Sequence, residues 1–174
     1  MVSGWFISII TFPGTVLHEW AHKKFCDWFN VKVIAVKYFS VEADGWVIHE
    51  RPKTYQATFW ISIGPLIINS LVCFCVGIIA GFFLNIYNGN EVVFLSLSWL
   101  ALSFGSHSFP SNQDTNNILD ESKTRLKNGG SFLHYLAYPL FGLIWLANIL
   151  RFFWFDFIWA IAIILLAFGI IGAI

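Results

Sequence analysis

Charge is what this 174-residue chain has least of. Lys, Arg, Asp and Glu make up 11% of it, ten basic side chains against ten acidic, so the formal net charge is zero. Without a basic excess there is no electrostatic footprint for nucleic acid, and no acidic field for a basic partner either. Cysteine is also scarce. Cys26, Cys73 and Cys75 are too few for a disulfide scaffold, and the i, i+2 spacing of the last two makes them diverge on a helix. All three read as small buried hydrophobes. The N-terminal apolar segment has no basic leader before it and no small-residue cleavage site after it, so no cleavable signal peptide is expected. Neither an internal repeat nor a low-complexity linker interrupts the sequence, which reads as one domain over 1–174.

What is abundant is apolar surface. Hydrophobic residues reach 57%, aromatic residues 19%, and mean hydropathy is +0.70, against an apolar share of about 45–50% in soluble domains. This predicts an all-α polytopic membrane protein in contact with the lipid bilayer. With about 20 apolar residues needed per crossing, five spans are expected: about Val2–Trp28, Phe59–Leu84, Val92–Ser108, Phe132–Phe153 and Phe155–Ile174. Pro13-Gly14 should kink or divide the first, and Pro110 should end the third. A tight link near Arg151 and Asp156 makes the last two an antiparallel hairpin over about 132–174. Lys23, Lys24, Lys32, Lys37, Arg51 and Lys53 follow span one; Lys123, Arg125 and Lys127 follow span three. By the positive-inside rule both loops are cytoplasmic, placing the N-terminus outside and the C-terminus inside a cell membrane.

Within span one stands His18-Glu19-Trp20-Ala21-His22. On a helix the histidines fall at i and i+4, so both imidazoles leave one face at a separation that a single Zn²⁺ bridges, with Glu19 beside them as a general base. Chance produces such a pattern in roughly one chain of this length in several hundred. Ionisable groups in lipid-facing sequence are expensive, which marks this cluster as functional. A catalytic zinc takes three protein ligands and leaves a fourth position for water, so one more donor is required. Two candidates exist. Ser96, Ser103 and His107 share a stripe on a continuing helix and would point His107 inward as ligand or partner of a ligand. Asp114 lies in the polar run Ser111-Asn112-Gln113-Asp114, near the same cytoplasmic depth as the histidines; it also suits the N-cap of a short amphipathic helix. Spacing does not choose between them.

The order of these motifs resembles the site-2 protease group of membrane metalloproteases. The residues carrying the resemblance are His18, Glu19 and His22; Gly64-Pro65 with Asn69; and Phe109-Pro110-Ser111-Asn112-Gln113-Asp114, over roughly the first two-thirds of the chain. It implies a three-helix catalytic core (about 1–120) in which His18, His22 and Asp114 hold zinc, Glu19 activates water, and Asn69 serves the substrate or its oxyanion. The chain departs from the group's pattern by having three residues between Pro65 and Asn69, and Thr115 after Asp114.

The expected activity is hydrolysis of peptide bonds in membrane-associated or transmembrane substrates. Val31–Tyr38 and Trp46–His49, separated by Ala43-Asp44-Gly45, read as a β-hairpin between spans one and two that can either accept an extended substrate by strand addition or cap the bundle. His49 and His134 are placed at the membrane interface. The alternative is a non-proteolytic metal-binding protein or a metal transporter. A closed structural site wants a fourth protein ligand, and an ion path wants polar residues along several spans, which span two lacks.

Overall fold

Thr11 divides the first apolar stretch. The structure is a computed structural model describing residues 4–41, 45–85, 90–129, 135, 137–150 and 153–172. Its chain begins with α1 (Gly4–Ile10) and, after a break at Thr11, α2 (Phe12–Trp28). Pro13 lies in the first turn of α2, where a missing N–H leaves no helical bond unmade. The expected division at Pro13-Gly14 thus falls two residues earlier, and His18, Glu19 and His22 sit mid-helix. Val31 to Glu50 then turns back as β1 (Val33–Lys37) and β2 (Trp46–His49), antiparallel, with a register irregularity between Val33 and Ala35. Of the expected turn, Ala43 and Asp44 lie outside the described residues.

α3 (Tyr55–Asn85) is the spine of the molecule, with α2, α4 (Glu91–Ser106), α5 (Asn112–Lys127) and α7 (Phe155–Gly172) packed against it. Phe25 and Cys26 of α2 meet Ala57 and Ile61 of α3 in one core cluster, with Val31 and Val33 packing from the hairpin side. Ile63, Ile118 and Ile144 join α3, α5 and α6 (Ala137–Leu150) in another. α6 therefore lies chiefly on α5, while α7 lies on α3 and α4. α6 and α7, expected from sequence to form an antiparallel hairpin, touch each other only sparsely, and their link at 151–152 lies outside the described residues.

At 1.5 Å per residue α3 is about 46 Å long and α7 about 27 Å, against a hydrocarbon core of about 30 Å. Among the described residues these two helices are long and apolar enough to cross a membrane, and only 28% and 17% of their most apolar windows are buried. Interior helices of a water-soluble domain would be mostly covered; here Leu71, Leu165 and Leu166 stand outward. The other three expected spans fall short as single helices. Thr11 breaks the first, and α2 carries Glu19, Lys23, Lys24 and Asp27. The third stops at Ser106, because His107 takes the cap position. α6 is 14 residues, the preceding part of its span lying outside the described residues along with His134.

Candidate metal centre

Both motif histidines are fixed through Nδ1. His18 Nδ1 is 2.7 Å from the His107 carbonyl oxygen, and His22 Nδ1 is 2.8 Å from that of Ile61. A carbonyl can only accept, so each Nδ1 carries the hydrogen and each Nε2 presents a lone pair to the space between them. The two Nε2 atoms are 3.2 Å apart, the rings meeting edge-on at 73°. Asp114 Oδ2 stands 3.5 Å from His22 Nε2, and ligand atoms of His18, His22 and Asp114 all lie within 4.8 Å of one another. Three electron-pair donors converging this closely repel unless something positive lies among them. Two of the separations, 3.2 and 3.5 Å, are close to the about 3.3 Å between donors on one tetrahedral ion, so this group could hold a metal ion.

Asp114 arrives here through the capping of α5. Ser111, not Asp114, is the N-cap: its hydroxyl accepts from the Asp114 amide, while the Asp114 carboxylate accepts from the Ser111 amide at 2.9 Å and from its hydroxyl at 2.6 Å. Burial opposes ionisation of that carboxyl, whereas the Ser111 amide and hydroxyl, both donating to it, favour the anion. The ionised form is the one a metal ligand needs.

His107 does not bring its ring to this cluster. As the C-cap of α4 it turns aside, with Nε2 2.8 Å from Thr11 Oγ1. The helix continuation that would have aimed the ring inward is absent, and Ser96, expected on the same inner stripe, is exposed while Ser103 is fully buried. What His107 supplies is its main-chain oxygen. Ser103 instead joins α4 to α2, accepting from the Gly14 amide and donating to the Thr11 carbonyl, both at 2.8 Å. A Cβ on Gly14 would overlap the Ser103 carbonyl, so only glycine permits this approach.

Asn69 is fully buried, and its Nδ2 donates to the Gly14 carbonyl at 3.1 Å and the His107 carbonyl at 3.0 Å. Both N–H bonds are taken by main-chain oxygens, and Oδ1 has no hydrogen-bond partner. Glu19 is buried on α2, and the hairpin closes over it: a Cβ on Gly45 would lie 2.7 Å from Glu19 Cγ and 2.7 Å from the Tyr38 carbonyl oxygen. His49 bonds the neighbouring Glu50 carbonyl at 2.7 Å. Cys26 and Cys73 are buried as expected; Cys75 is exposed, and all three are free.

Sequence reasoning passed over Ser111, Thr11 and the Ile61 carbonyl. The Ser111–Asp114 spacing of a capping box was a readable signal for the first; a main-chain oxygen leaves none. Compared with known proteins, the chain matches no family model, no curated protein and no solved structure.

Proposed function

We propose that this chain is a membrane-embedded zinc endopeptidase that cleaves membrane-associated or transmembrane protein substrates. The observation that carries the reading is the meeting of His18 and His22 with Asp114, 92 positions beyond His22, each imidazole offering Nε2. Three protein donors are the number of a catalytic site, which keeps a position for water; a closed structural site uses four. Zinc bound there would lower the pKa of a coordinated water to about 7 and polarise a substrate carbonyl. Glu19 would be the group to accept a proton from that water and return it to the departing amine. Its burial between α2 and Gly45 keeps bulk water from competing for that transfer.

In this reading α2, α3 and α4, with the first turn of α5 that carries Asp114, form the catalytic core of a site-2 protease-like fold. The broken α1–α2 unit, α4 and α6 complete five membrane segments with α3 and α7, the lysine-rich loops facing the cytoplasm and the N-terminus outside. Peptide bonds in a transmembrane helix are shielded by their own hydrogen bonds, so the substrate must present an unwound stretch. Beside β2 a groove of about 540 Å³, lined by Val47, Ile48, Thr58, Ile61 and Asn117, runs to the helix turn whose carbonyl holds His22. An extended segment pairing with β2 there would be led to the zinc.

The test is cleavage of a membrane-tethered peptide by the purified protein in detergent, with metal content measured in parallel. One zinc per chain, loss of cleavage on chelation, and a 10²–10⁴-fold loss in Glu19→Gln with zinc retained are expected. Unimpaired turnover by Glu19→Gln, or protein that cleaves without metal, would reject the proposal.

A further inference from the structure

Pro65 and Asn69 lie one helical turn apart on α3, and both sit on the paths that fix the histidines. A proline inside a helix has no N–H to give to the carbonyl four residues earlier. For Pro65 that carbonyl belongs to Ile61, and it is this oxygen, left without its helical donor, that His22 Nδ1 meets at 2.8 Å. The proline ring also crowds that carbonyl and tilts it away from the helix axis, toward α2. On the other histidine the logic repeats with a different device. The His107 carbonyl lies at the C-terminal end of α4, where carbonyls lack helical partners. It takes two donors: His18 Nδ1 at 2.7 Å and Asn69 Nδ2 at 3.0 Å. The second N–H of the same amide holds the Gly14 carbonyl of α2, one turn before His18. His107 is gripped at its ring as well, by Thr11, whose hydroxyl donates to Ile7 at 2.7 Å and so receives from His107.

We infer that Pro65 and Asn69 are positioning residues which, through the Ile61 and His107 carbonyls, make Nε2 of both histidines the metal-facing atom. The inference rests on the metal-centre reading proposed above. Neither residue is explained by packing. A fully buried amide whose Oδ1 has no hydrogen-bond partner is costly in an apolar helix, and a leucine of similar size would fill the space without that cost. Proline in a helix interior is likewise unfavourable to the helix itself. Each is tolerated where one main-chain oxygen must be kept for an imidazole.

Separating this from a structural role requires substitutions whose effects on stability and on metal diverge. Pro65→Ala restores an N–H that competes for the Ile61 carbonyl. The metal-free protein should then melt at a higher temperature than wild type, while zinc affinity falls about tenfold, the usual effect of losing a partner that orients a ligand. Asn69→Leu should lower affinity by about the same factor, with a shift in the visible absorption of the cobalt-substituted protein. In the zinc-loaded wild-type chain, ¹⁵N NMR should show hydrogen on Nδ1 of both His18 and His22, a readout that does not depend on any variant folding. Wild-type protein that takes up neither zinc nor cobalt would overturn the metal centre and this inference together. Metal bound by wild type through Nδ1, or Pro65→Ala and Asn69→Leu variants with unchanged affinity and spectrum, would overturn the inference alone.

Discussion

Asp114 Oδ2 accepts from the Ser111 amide and hydroxyl while standing 3.5 Å from His22 Nε2, so one carboxylate both starts α5 and joins the metal donors. These tasks agree, since each needs the ionised form and the cap contacts hold the carboxylate in place. Ser111→Ala should therefore cost about 1 kcal/mol of stability through the lost cap and weaken zinc about tenfold through the loosened ligand, as thermal unfolding and a competition titration would show. An Asp114→Asn exchange keeps the size and loses the charge; chelator-resistant zinc in that variant would exclude Asp114 as a ligand. The motif histidines and Glu19 were legible from spacing alone, because i and i+4 share a helix face whatever the tertiary fold. His107, left open as a ligand or as the partner of one, meets His18 through its carbonyl and not its ring, because the extrapolated helix ends one residue before it and the ring lies against Thr11.

α5 and the hairpin are the elements that complete the site around α2. Further along α5, Glu121 is buried and pinned by Arg51 Nη2 at 2.9 Å and by Arg125 Nε at 2.8 Å; Arg125 also donates to the Lys53 carbonyl. Two turns separate Glu121 from Asp114 on the inward face, so this clamp ties the segment before α3 to the helix that carries Asp114. Burial opposes the charge on Glu121, but the two guanidinium groups prevail and lower its pKa from the ordinary 4.5. A carboxyl lowered in the folded state contributes stability above its unfolded value, and that contribution is lost as pH falls from 4.5 through the folded value. Wild type should thus lose thermal stability on acidification below that point; Glu121→Gln should be less stable at pH 7 yet flatter across the acid range. Equal slopes for the two proteins would dismiss the clamp. At the hairpin, Gly45→Ala places a methyl group against Glu19 and the Tyr38 carbonyl. Cleavage should fall with zinc content unchanged, since no metal donor is touched; an unaltered rate would show that the hairpin leaves Glu19 free. The hairpin strands were readable from their β-branched residues and turn signal, whereas nothing local announced that Arg51 would meet Glu121, 70 residues away.

At the scale of the molecule, α3 and α7 turn most of their apolar surface outward, and α2, α4 and α5 converge on the inner side of α3 with the donors. A metal bound only by the folded arrangement stabilises it by mass action, about 2.7 kcal/mol at free zinc 100-fold above Kd. Adding zinc to chelated protein should accordingly raise the melting temperature in a concentration-dependent way, and the increment should vanish in a His18→Ala/His22→Ala double variant. Composition and periodicity alone determined the apolar helical character, the hairpin and the His-Glu-His face, because those follow from side-chain hydrophobicity and from repeats of 3.6 and 2 residues. Only the tertiary structure decided that Asp114 and not the His107 ring approaches the histidines, that Asn69 serves two carbonyls, and that the last two helices pack on different partners. Those outcomes depend on where helices end and which main-chain oxygens are left unpaired, and such oxygens are chemically the same at every residue until packing brings a donor to one of them.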